Sequence, residues 1–104
     1  MAWLLLVLAG TFEVGFTTSL KYAQGFTRLW PTLAFAVCVV LSMVLLERAQ
    51  QTIPLGTAYA VWTGIGAAGT VVVGAMLFAE PLSALRILFL ATLIGSIIGL
   101  KLFT

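Results

Sequence analysis

Charged side chains divide this chain into four long apolar stretches, at positions 2–20, 30–46, 53–79 and 82–103. Each stretch predicts a helix. A helix rises about 1.5 Å per residue and a bilayer's hydrocarbon core is about 30 Å thick, so about 20 residues are needed to cross it. Open strands are excluded, because lipid leaves the backbone groups of a sheet edge unpaired. The third stretch holds 27 uncharged residues, including Gly56, Gly64, Gly66, Gly69 and Gly74. It predicts a tilted helix with a bend across 64–69, where Gly64, Gly66 and Gly69 form a hinge. The fourth has an uncharged part of only 14 residues, 87–100, and borrows length from Arg86 and Lys101, whose stems snorkel toward water. The connections at 21–29, 47–52 and 80–81 leave no room for a second domain, so residues 1–104 read as one four-helix transmembrane domain. Pro31, Pro54 and Pro81 fall near helix starts, where a missing N–H is harmless. Trp3, Tyr22 and Trp30 fall near segment ends, as interfacial aromatics do.

Composition points the same way. Of the 104 residues, 62% are hydrophobic and 8% are charged, against about 25% charged in a soluble domain. Eight charged side chains cannot clothe a water-facing surface. The fold class is therefore an all-α integral membrane protein. The net charge of +2 comes without a basic run, which argues against nucleic acid as a partner. The single cysteine, Cys38, allows no internal disulfide, and the absence of histidine removes the commonest metal ligand. Nothing in the pattern calls for a cofactor. The apolar N-terminus lacks a basic region and a small-residue cleavage site, so it does not read as a removable signal peptide.

Charge placement bears on assembly. With four spans, Arg48 and Lys101 fall on the side of both termini, and Lys21, Arg28 and Arg86 on the other. Orientation follows an excess of Lys and Arg on one side, and two against three specifies it poorly. The chain is expected to insert both ways. A bundle this small hardly encloses a water-filled site alone, so the reading is an antiparallel homodimer, the two-chain form of an inverted repeat. Gly95 and Gly99, four residues apart, form a flat ridge suited to a dimer seam.

One residue stands out chemically. Glu13 lies near the middle of the first stretch, where a charged side chain costs about 2.5 to 3.5 kcal/mol. No Lys or Arg lies at the same depth to neutralise it. Its helical neighbours Ala9, Gly10, Phe16 and Thr17 are small, aromatic or weakly polar, which leaves room for a ligand and offers a ring to a cation. Removal from water disfavours a charged carboxylate, and a second Glu13 from a partner disfavours it further. Such a group can trade a proton for a cation. On the third stretch Tyr59, Trp62, Thr63, Gly66 and Thr70 share a face. From there Tyr59 can hydrogen-bond Glu13 and the Trp62 ring can attract a cation. Ser42 is a further polar group at membrane depth. The bland alternatives are interfacial anchoring for the aromatics and a bond from Ser42 to its own backbone.

With these residues in place, the chain resembles the small multidrug resistance family over essentially its full length. The resemblance rests on Phe12-Glu13-Val14, Gly25-Phe26-Thr27-Arg28-Leu29-Trp30-Pro31, Pro54-Leu55-Gly56-Thr57-Ala58-Tyr59-Ala60-Val61-Trp62-Thr63-Gly64-Ile65-Gly66 and Gly99-Leu100-Lys101. It implies an antiparallel dimer in the bacterial inner membrane that exchanges protons for small organic cations by alternating access. Proton and substrate would both bind at Glu13, with Gly10, Phe16, Thr17, Ser42, Tyr59, Trp62 and Thr63 lining the site. Gly10, Phe12-Glu13, Ser42, Trp62-Thr63-Gly64 and Gly99-Leu100-Lys101 look like the branch that exports guanidinium or substituted guanidinium. Gly15, Thr17-Thr18-Ser19 and the Gly25 to Pro31 stretch look more like the branch that exports quaternary ammonium and aromatic cations. Phe16 stands where the guanidinium branch carries Trp, which implies a roomier site. Two rival readings remain: one half of a heterodimeric exporter, and a non-transporting membrane subunit such as a pore former or a helper in lipid-carrier flipping. An enzyme is the class with least support, because no second acid, histidine or reactive cysteine accompanies Glu13.

Overall fold

The computed structural model describes residues 1–103. Over these the chain forms four helices, α1 Ala2–Ala23, α2 Leu29–Ala49, α3 Leu55–Leu77 and α4 Ala84–Leu102. All four are long and apolar enough to cross a membrane. Hydroxyl side chains inside the helices give their protons to the preceding turn, as Thr11 does to the Val7 carbonyl at 2.9 Å and Ser96 to the Thr92 carbonyl at 3.0 Å. Thr92 does the same to the Leu88 carbonyl at 3.0 Å, so these lipid-depth hydroxyls are satisfied within their own helix.

The ends differ from the apolar boundaries by up to three residues, for physical reasons. α1 runs on through Lys21 to Ala23, and α2 through Glu47 and Arg48 to Ala49, because charged heads at a membrane face do not interrupt a helix. α3 begins only after Pro54, which caps it in an extended conformation. It ends where Ala79 turns left-handed at φ 53°, with the Phe78 and Glu80 amides both donating to the Gly74 carbonyl. α4 starts late because Ser83 is its cap: the Ser83 hydroxyl accepts the Arg86 amide at 3.2 Å.

α1 packs against α2 and α3, whereas α4 packs only against α3. The buried core is Leu6 and Ala9 of α1, Ala49, Ile53, and Ala58, Val61 and Trp62 of α3. No residue of α4 is buried. The extents are 42 × 35 × 17 Å. The short dimension is below two helix diameters of about 10 to 12 Å each, so the helices lie nearly in a slab.

Candidate functional site

The site forms where α1 meets α3, with α2 closing one flank. Small residues allow the close approach. A side chain at Gly10 would strike Ile65, one at Gly69 would strike Val14, and one at Gly66 would strike the Glu13 carboxylate. Glu13 thus lies against bare backbone on α3. Its Oε1 is buried and has no hydrogen-bond partner among the described residues. A buried acceptor left open is costly, and it marks a place for a donor that the chain itself does not supply.

Toward the terminal side lies a polar relay inside the core. The Trp62 indole donates to the Ser42 hydroxyl at 2.9 Å, and that hydroxyl donates to the Ala9 carbonyl at 2.7 Å. Ser42 is fully buried and Trp62 is 7% exposed. The indole orientation is therefore fixed through α2 to a carbonyl one turn from Glu13. Toward the opposite side, the Thr17 and Thr70 hydroxyls meet at 2.8 Å, and Thr17 also donates to the Val14 carbonyl at 3.0 Å. Beyond them a cavity of about 70 Å³ is bordered by Thr18, Lys21 and Glu80, where Lys21 pairs with Glu80 at 4.0 Å. Lys21 also lies 4.9 Å from the centre of the Phe78 ring.

Glu13, Gly10, Ser42, Trp62 and Thr17 thus sit on one continuous α1 interface. Phe16 faces α2, edge-on to Phe35 at 5.8 Å. Tyr59 does not bond Glu13 within the chain; it is 56% exposed and its ring packs on Trp62 at 5.6 Å. Thr63 is exposed. Gly64 packs on Ile97 of α4, so Gly64, Gly66 and Gly69 are all contact points of α3 with its neighbours. Nothing lies within 4 Å of where a side chain would stand at Gly95 or Gly99. Sequence reasoning missed Phe35 and the Ser42 link to Ala9. Phe35, Cys38 and Ser42 recur at helical spacing on α2, and each lies against α1: Phe35 on Phe16, Cys38 on Gly15, Ser42 on Ala9. A stripe that is mostly apolar gives no sign in sequence of which neighbour it will meet.

A family model described as Small Multidrug Resistance protein matches residues 1–93. The chain is 50% identical to a guanidinium exporter of Yersinia pseudotuberculosis over 102 residues, 98% of each chain. It is 47% identical to a guanidinium exporter of Salmonella typhimurium over 102 residues, covering 98% of this chain and 97% of the relative. It is 46% identical to one from Citrobacter freundii over 104 residues, covering 100% of this chain and 99% of the relative.

Proposed function

The chain belongs to the Small Multidrug Resistance family, and from that premise we propose that it exports guanidinium or substituted guanidinium ions in exchange for protons. It is a multi-pass protein of the bacterial inner membrane and an exporter of small cations. The observation that carries the finer reading is the Glu13 carboxylate, seated on Gly66 with a buried, unpartnered oxygen. A guanidinium ion is a planar fork of N–H donors that matches a carboxylate edge-on, and it sheds water more readily than an ammonium ion does. The Trp62 ring, held by Ser42, supplies a cation-attracting face nearby. Gly10, Thr17, Tyr59 and Thr63 complete the lining, with Tyr59 and Thr63, exposed in one chain, facing the second copy.

In the cycle, one occupant at a time holds the Glu13 pair of an antiparallel homodimer. A cation leaves only when protons replace it, and the empty charged pair does not switch sides, because two bare carboxylates in hydrocarbon are too costly. Inward proton flow then drives cation efflux, while α3 flexes at Gly64, Gly66 and Gly69. Phe16, which lacks an indole N–H, loosens the site enough to admit quaternary ammonium ions. Phe16→Trp is expected to narrow the range toward guanidinium in a transport screen.

Proton and cation compete for the same carboxylate, so guanidinium binding weakens as pH falls, by up to about tenfold per unit for each proton displaced. Adding guanidinium to weakly buffered, detergent-solubilised protein is expected to release protons, and Glu13→Gln to release none and transport nothing. Absence of release from the wild type, or full transport by Glu13→Gln, would discard the reading.

A further inference from the structure

On the side of α3 away from Ser42, two cavities of about 540 and 330 Å³ run into one another, both lined by Ile65, Ile97 and Ile98. Together they make a groove between α1, α3 and α4. Its open end is marked by Trp3 and Lys101, and its deep end by Ala68 and Val72. The Lys101 ammonium lies 6.0 Å from the centre of the Trp3 ring, and no carboxylate among the described residues is within ion-pair distance of it. The only hydroxyl along the groove, that of Thr11, is bonded to the Val7 carbonyl.

From this charge-capped apolar channel we infer that the groove holds one acyl chain of an anionic phospholipid, with its phosphate on Lys101. The dimensions fit one leaflet: Val61 to Val73 on α3 and Ile94 to Leu102 on α4 span about 12 to 18 Å along their helices, and half a hydrocarbon core is about 15 Å. The chemistry fits as well. A lysine and an indole at the membrane face, above an uninterrupted apolar slot, match a phosphate ester above a hydrocarbon tail. A second copy of the chain fits less well. The ridge of Gly95 and Gly99 lies about 130° round α4 from Ile94, Ile97 and Ile98 at about 100° per residue, so a seam on that ridge leaves the groove facing lipid. The lipid seals α4 to the rest of the molecule and borders the α1–α3 crossing at Val14, Ile65 and Gly69, while Glu13 itself does not line the groove.

Native mass spectrometry on the solubilised protein, equilibrated with equal amounts of phosphatidylglycerol and phosphatidylcholine of matched chains, tests this. The wild type is expected to retain phosphatidylglycerol about fivefold over phosphatidylcholine, the weight of one basic side chain at an anionic surface. Lys101→Met should bring the ratio near one. Ile94→Trp, which fills the groove from an exposed position, should reduce retention of both lipids while the dimer mass stays unchanged. The volume-conserving Ile98→Leu should retain lipid as the wild type does, which separates groove filling from misfolding. Equal retention of the two lipids by the wild type, or a ratio indifferent to Lys101→Met, overturns the inference. Dissociation of the dimer by Ile94→Trp with lipid retention unchanged gives the groove to a second copy and overturns it equally.

Discussion

Glu13 owes its position to what α3 lacks at Gly66, since any side chain there meets the carboxylate. Gly66→Ala is therefore expected to displace the carboxylate and weaken guanidinium binding about tenfold, roughly 1.4 kcal/mol, in titration calorimetry at fixed pH. An unchanged affinity would show that the seat does not matter. The sequence made Glu13 legible because an acidic side chain deep in an apolar run has few explanations. It placed Trp62 and Ser42 near the carboxylate as separate polar groups. The link between them was not legible, because a serine hydroxyl in an apolar helix can bond its own backbone as readily as a neighbour. Here it receives an indole proton and passes its own to Ala9 on another helix. The proposed bond from Tyr59 to Glu13 is absent within one chain, and the exposure of Tyr59 explains why.

At the level of elements, the four spans were readable from hydrophobicity alone, and the ends were not. Ends depend on caps and turns that a run of apolar letters does not encode. The clearest case is the exit from α3, where Ala79 holds a left-handed conformation. For a residue with a Cβ this costs about 1 to 2 kcal/mol, and glycine avoids it at the expense of a floppier unfolded chain, about 0.5 to 1 kcal/mol. Ala79→Gly is thus expected to stabilise the protein by about 0.5 to 1 kcal/mol, seen as a higher thermal midpoint in the same detergent. A lower midpoint would mean that the turn is not strained. Helix pairing was also beyond the sequence. Small residues on α1 and α3 permit a close crossing, but glycines at Gly95 and Gly99 of α4 look the same in the sequence and have open space where a side chain would stand.

For the whole molecule, the slab shape supports assembly from two copies, because a layer 17 Å thick encloses no site of its own. The near balance of basic residues across the membrane, Arg48 and Lys101 against Lys21, Arg28 and Arg86, predicts insertion in both directions. A reporter fused to the C-terminus should be found on both sides in comparable amounts, and two extra lysines at the 47–52 connection should confine it to one. A wild-type reporter found on a single side would favour a heterodimer. The attachment of α4 to α3 alone, with no buried residue of its own, also sets how the molecule comes apart under load. Tension applied from the carboxyl end in a single-molecule pulling experiment should extract this rod first, as a discrete low-force step. About 65 Å of extended chain, 19 residues at about 3.4 Å each, would be released before the remaining three helices yield.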